Sequence, residues 1–498
     1  MFNTPGKQSI VRIIISVAGA LIGTLSTLYI YPLDMELHGL SMFLLTASLM
    51  FAPFILLGSS AVAINNYPEF KTKDKRDNGF LSFIFLIYLT GSFLFALAFI
   101  FGEDWFSQYF MSHNGKYDKY FQYILPLTIL QAGCTLIDVY LNNFTKVIIP
   151  ALLKEFLLKL TLPLLIGLHI LGYITVDMVI WGLLANYIIA LFLLILYTFY
   201  LRKQSFHLTF LFLTRSRLEK IANYSLFAIL GVFGNQMVVY IDTIMIKAIL
   251  PDFSYISIYN MHSSMANFIN MPVIAIISVA SPFVAKYIAG KEDGKLVNLY
   301  ISSSTIMLLL GSFLFTGIVI NMDAVYLLMS NGDAYRSGFW VVVFLGIAKL
   351  VDMATGLNSQ IIGYSKYYKF NFYALIILGL SNAILNYFLI HQTGVSGAAL
   401  ATLISLTLFN MAKLLYVKKK FGIWPFTIQD LYIVILAGLF GIIAFIMPSG
   451  ENPYFQIAIR TIVFSILFWP TIVYFNFSPK VTEIYQQVWK KIKDFLLK

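Results

Sequence analysis

Fourteen apolar stretches, each near or beyond the roughly 20 residues that carry a helix across a bilayer, run from residue 9 to residue 476 of this sequence. Lipid offers the backbone no hydrogen-bond partners, so segments of that length must satisfy their own N–H and C=O groups and are read as helices. With 59% hydrophobic and 11% charged residues and a mean hydropathy of +0.81, a soluble globular class is excluded. The fold class is an all-α polytopic membrane protein of about fourteen transmembrane helices.

The net charge of +11 would suit nucleic acid, but its distribution does not. Under an N-in, C-in topology, 27 of the 34 Lys and Arg fall on one side or its boundary, 5 on the other, and 2, Lys159 and Lys349, inside. That bias assigns the 27 to the cytoplasm, with both termini cytoplasmic and no nucleic acid partner. The first apolar segment is long enough to remain as a membrane helix, so no cleavable signal peptide is read. The single cysteine, Cys134, rules out an intrachain disulfide and a cysteine-based metal site and is expected to serve small-residue packing.

The basic link at 202–220 divides the chain into an N-terminal lobe, 1–201, and a C-terminal lobe, 221–417, of six spans each. Two further spans follow at 418–476, and neither carries a polar stripe, so they are expected at the periphery. In 477–498, Val481, Ile484, Val488, Ile492 and Phe495 form an apolar stripe beside several lysines, as in a helix lying on an anionic lipid surface.

Within this frame the stretch 340–359 stands out. Gly346, Lys349, Asp352, Gly356 and Ser359 share one face of a predicted span at 337–362, and ionised groups at such depth usually face a bundle interior or a wet cavity. The pattern recurs 214 residues earlier, where Leu136-Ile137-Asp138 aligns with Leu350-Val351-Asp352 and Thr128, Gln131, Thr135, Asp138 and Asn142 form a stripe. Matched helices in two halves point to an internal repeat around a central cavity, the plan of many transporters.

Other polar positions carry two readings each. Arg12 shares a face with Gly19 and Gly23; it either lines the cavity or snorkels to cytoplasmic headgroups while the glycines allow close helix approach. Asp242, seven residues after Asn235, is either functional or paired with a lysine such as Lys247. Glu155 and Lys159 are spaced to neutralise each other on a helix. Asn260, Ser264, Asn267 and Asn270 precede Pro272 in a span at 254–284, and Ser381, Asn382 and Asn386 mark another; amides of this kind also serve as interhelical glue. No metal-spaced His or Cys cluster and no phosphate loop is present, and His262, inside a span, reads as a hydrogen-bonding partner. The protein is therefore not read as an enzyme, and no cofactor is expected.

Several stretches resemble the oligosaccharide flippases of the multidrug/oligosaccharidyl-lipid/polysaccharide (MOP) exporter superfamily, with O-antigen flippases among them. They are GTLSTLYIYPLDMELHGLSMFLLTASLMFAPFILLGSSAVAINNYPEF at 23–70, YIDTIMIKAIL at 240–250, NSQIIGYSKYYKFN at 358–371 and NAILNYFLIHQTGVSGAALATLIS at 382–405. The resemblance implies two six-helix lobes around a cavity with alternating access, a bacterial inner membrane, and a polyprenyl-diphosphate-linked glycan as substrate. Glycosyltransferases or a glycan polymerase would be its partners.

On that reading a diphosphate in the cavity needs a counter-charge. Lys349 supplies it, assisted by Arg12 or Lys159. Asn235, Gln236, Asn267, Asn382 and Asn386 meet sugar hydroxyls, while Asp138, Asp242 and Asp352, with Glu155 in the same charge network, bind coupling H+ or Na+ or hold Lys349. The rivals are a cation-coupled multidrug exporter of the same superfamily and a membrane-embedded polysaccharide polymerase or acyltransferase.

Overall fold

The computed structural model describes residues 5–72, 77–102, 115–144, 148–202, 214–448, 450–483 and 485–487. Among the described residues the regular structure is all helical. Twelve helices among the described residues are long and apolar enough to cross a membrane, and two shorter apolar segments, Ala18–Leu33 and Lys159–Ile170, account for the first and fifth predicted passes.

The chain forms two compact units, Met1–Ser257 and Ile258–Lys498. The first contains α1 (Pro5–Tyr29), α2 (Met35–Leu56), α3 (Phe80–Phe101), α4 (Ile124–Asn142), α5 (Lys159–Ile170), α6 (Val176–Arg202) and α7 (Arg215–Ile249). α7, read from the sequence as the first helix of the second lobe, packs along α2 inside the first unit. Helix α8 (Ser254–Ile269) begins in the first unit and continues into the second, followed by α9 (Met271–Ala289), α10 (Asp293–Val319), α11 (Phe339–Thr355), α12 (Asn358–Gly363), α13 (Lys369–Thr393), α14 (Val395–Phe421), α15 (Ile428–Ile446) and α16 (Pro453–Tyr474). Residues 203–213 of the expected linker, and Ile484, Val488, Ile492 and Phe495 of the expected interfacial helix, lie outside the described residues or side chains.

Helix ends follow local chemistry. The Asp34 carboxylate accepts a hydrogen bond from Leu37 N at 2.9 Å and caps α2. A reciprocal pair between Thr427 and Asp430 starts α15, and Asn452 followed by Pro453 starts α16, each supplying acceptors for the unpaired first-turn N–H groups. Between α13 and α14, Gly394 takes φ +63° and makes a sharp reversal that disfavours any side chain.

Three spans expected to be continuous are interrupted. At 147–172 a π-helical turn, Leu153–Leu158, precedes α5; Pro163 has no N–H to give the Lys159 carbonyl, so the ladder is weakest just after that turn. At 254–284 the helix breaks at Asn270, with Pro272 in the first turn of α9. At 337–362 it breaks at Gly356, with φ +60° and ψ −126°. A Cβ there would also come within 2.0 Å of Ser304 Oγ. The face drawn through Gly346, Lys349, Asp352, Gly356 and Ser359 is therefore not one straight helical face. Gly346 itself is buried against Phe315.

α15 and α16 cover α10. Gly441 lies so near Thr316 that a Cβ would approach it to 2.4 Å, and the rings of Phe313 and Phe464 stack at 5.2 Å. Leu439, Ile442 and Ile466 are exposed on their other faces, as suits helices bordered by lipid. Arg460 of α16 is buried: its Nη1 donates to Ile320 O at 2.9 Å, and the guanidinium lies 4.7 Å from the Phe445 ring centre. Gly23, by contrast, has open space where a Cβ would sit, so it makes no close helix approach.

Candidate functional site

The second unit carries a buried polar network where α11, α12 and α14 meet. Asp352 lies in the last turn of α11, and its Oδ1 accepts a hydrogen bond from Asn410 Nδ2 of α14 at 3.1 Å. Thr355, one turn on, donates to Asn410 Oδ1 at 3.2 Å. The break at Gly356 then turns the chain so that α12 offers Ser359 to α14, where Lys413 Nζ donates to Ser359 Oγ at 2.8 Å. Lys413 is only 2% exposed and lies 4.0 Å from the Phe409 ring centre. Asp352 is the charge that acts on it.

Asn358 and Asn371 extend the network. Ser359 Oγ lies 3.3 Å from Asn358 Oδ1, and Asn371 Nδ2 donates to Ser359 O at 2.8 Å. Among the described residues, the buried Asn358 Nδ2 and Ser304 Oγ have no hydrogen-bond partner in the protein. A network with spare donors around a buried ammonium is an unusual interior for a membrane helix bundle, where each unmatched polar group costs free energy.

Lys413 is the residue that sequence reasoning missed. The charge rule places it at the cytoplasmic boundary with Lys418, Lys419 and Lys420, which follow closely. The signal that would have found it is spacing: Asn410 and Lys413 lie three apart on α14, on the helix side that meets α11 and α12. Thr402 and Ser405, earlier on α14, turn toward α13 instead and donate to Asn382 Oδ1 at 3.4 and 3.5 Å. Asn386 is also fully buried.

Lys349, one turn before Asp352, is half-buried, and Asn267 on α8 is exposed. These residues, with Asp352, Asn382 and Asn386, belong to the second unit. His262 is buried there and bridges Ile258 O and the Tyr326 hydroxyl, at 2.7 Å each.

The remaining sequence candidates belong to the first unit. Asp138 is half-buried on α4, beside a stripe that partly satisfies itself: the Thr128 and Thr135 hydroxyls donate to Ile124 O and Gln131 O of their own helix. On α7, Asp242 is buried while Asn235 is exposed and Gln236 half-buried. Seven residues keep one face but span about 10 Å of helix axis, enough to change surroundings. Lys247 Nζ donates to Pro251 O at 3.0 Å and lies over Phe253. Lys159 is exposed, and the side chains of Glu155 and Arg12 lie outside the described ones.

No protein-family model and no curated protein sequence matches the chain. Its fold does have solved counterparts. It is similar to a lipid II flippase MurJ in an inward closed conformation, with a TM-score of 0.70 and 17% identity over 93% of this chain and 99% of that one. It is also similar to an inward-facing multidrug resistance MATE family transporter of the MOP superfamily, with a TM-score of 0.63 and 13% identity over 83% and 98%. For an outward-facing MATE family transporter the corresponding values are 0.54 and 14%, over 84% and 96%. At such identities the likeness is one of fold.

Proposed function

We propose that this chain, with its MOP-superfamily fold, is a flippase that moves a polyprenyl-diphosphate-linked oligosaccharide across the bacterial inner membrane by alternating access. Its product serves surface polysaccharide or lipopolysaccharide biosynthesis, and its partners are the glycosyltransferases and polymerase on either side of that step. The observation that carries this reading over drug export is coverage. The lipid II flippase matches 93% of the chain, whereas the two MATE transporters match 83% and 84%.

The chemistry of the buried groups supports it. A diphosphate entering the bilayer interior needs a cation. Lys413 is bonded to Ser359; half-buried Lys349, one turn before Asp352, serves as the substrate cation, with Arg12 or Lys159 assisting. Asn235, Gln236 and Asn267 retain exposure and meet sugar hydroxyls, with Asn386 deeper on α13; Asn382 holds α13 to α14 through Thr402 and Ser405. Asp138 and Asp242 take the coupling H+ or Na+.

The test is depletion in the native host, with analysis of polyprenyl-linked glycans and surface polysaccharide, and rescue by wild type or Lys349→Ala. Accumulation of a diphosphate-linked oligosaccharide with loss of surface glycan, rescued by wild type alone, is the expected result. Unchanged pools together with altered sensitivity to cationic dyes would transfer the assignment to drug export.

A further inference from the structure

A second site lies wholly within the first unit, at the end of the membrane where α2 begins and α7 ends, which the charge bias makes the outer end. There a cleft of about 330 Å³ opens beside Tyr117 and Phe253, a size at the lower end of small-ligand sites. The two rings meet edge to face at 5.8 Å and 84°. Phe253 is fixed by Gly39 of α2, where a Cβ would come within 1.8 Å of the Phe253 carbonyl oxygen. The wall is thus rigid, with half-buried Tyr117 as its open ring.

The polar lining is of mixed sign. Lys247, 5% exposed, sits 4.4 Å from the Phe253 ring centre, and the charges of Asp118 and Asp252 act on it. Glu36 accepts from the Tyr117 hydroxyl at 3.0 Å and lies 3.9 Å from Lys116 Nζ. Asp118 accepts from Gly115 N and Asp252 from Ser254 N through one oxygen each. Every carboxylate therefore keeps a second oxygen that makes no hydrogen bond among the described residues.

This composition selects a ligand class. Three carboxylates against two ammonium groups repel a phosphate, and a simple cation would compete with the lysine already buried there. A neutral polyhydroxyl ligand suits both signs, since each hydroxyl donates to a carboxylate oxygen and accepts from an ammonium. An aromatic face beside such groups takes the C–H side of a sugar ring. We propose that this cleft binds a short segment of the glycan, apart from the group that carries the diphosphate. The inference rests on the flippase reading for the source of the glycan, and it gives the chain a sugar-specific contact at the outer end.

The experiment is calorimetric titration of the purified full chain in detergent. One probe is the oligosaccharide released by mild acid from the host's polyprenyl-diphosphate pool; the other is inorganic diphosphate. Binding of the lipid-free oligosaccharide, weakened at least tenfold by Tyr117→Ala and by Asp252→Asn but unchanged by the distant Thr427→Ala, is expected. Asp252→Asn keeps an acceptor for Ser254 N, so it tests the cleft without removing that turn. Absence of oligosaccharide binding, an affinity indifferent to both cleft variants, or diphosphate displacing the sugar from the cleft overturns the proposal. The two readings fail separately. Pool accumulation on depletion without cleft binding removes only the cleft, and cleft binding with unchanged pools removes only the flippase.

Discussion

Lys413 and Lys247 are both buried ammonium groups on long apolar helices, yet they are held in opposite ways. Lys413 lies where three helices meet, bonded to a serine hydroxyl and balanced by the Asp352 carboxylate. Lys247 lies at a helix end, bonded to the backbone carbonyl of Pro251 one turn on, with its acidic neighbours lining a cleft. Burial alone therefore does not mark equivalent sites. The first lysine belongs to a charge network that fastens helices together, and the second to the wall of a cleft open to a ligand.

That contrast is broken or upheld most directly by Lys413→Met, which keeps the volume and removes the charge. Losing one partner of a buried charge network costs about 3 to 5 kcal/mol, and it also leaves Ser359 without its donor. Thermal unfolding in detergent is followed by circular dichroism of the helices, which reads both units. Lys413→Met should unfold at a clearly lower temperature, and adding Asp352→Asn should recover most of the loss. A single variant as stable as wild type would remove the balancing role given to Asp352.

Gly356→Ala approaches the same network from the backbone. A positive φ costs an alanine about 1 to 3 kcal/mol, and its Cβ would displace Ser304. Since the turn at Gly356 delivers Ser359 to Lys413, the two variants share one mechanism, and their effects should fall short of additive when combined. Full additivity would mean that the turn and the lysine act independently.

The break at Gly356 shows what the sequence did and did not reveal. Segment length and hydropathy were enough for the helical passes, because lipid leaves the backbone no alternative. Asp352 was legible as a polar group in an apolar helix. Gly356 was not legible as a break: a glycine at helical spacing fits a small-residue face as well as a reversal, and only Ser304 opposite it decides. Lys413 was hidden by its neighbours, since the charge rule that places Lys418 to Lys420 at the membrane boundary carries a lysine one turn deeper along with them. Asn382 was legible as a polar helix contact, and it became one through Thr402 and Ser405.

Arg460 tests whether a buried cation held by a carbonyl behaves like Lys247 or like Lys413. Its Nη1 bonds Ile320 O, and its Nε has no protein partner among the described residues. Arg460→Met should cost about 1 to 3 kcal/mol, chiefly from leaving the Ile320 carbonyl unpaired. The loss should appear as looser attachment of α16, read as faster hydrogen exchange in that helix than in α11.

Lys247→Met should have the smallest effect, about 1 kcal/mol, the net worth of one hydrogen bond to a carbonyl. The open cleft lets water reach Asp118 and Asp252, so neither becomes a desolvated charge when the ammonium leaves. The same thermal readout compares it directly with Lys413→Met. An equal cost would mean that Asp118 and Asp252 depend on Lys247 as Asp352 depends on Lys413, and the cleft would then be a closed charge network instead of a place where a sugar can take over those contacts. A small cost combined with weaker oligosaccharide binding separates the two lysines by what they contact: one holds its own unit together, and the other faces the ligand.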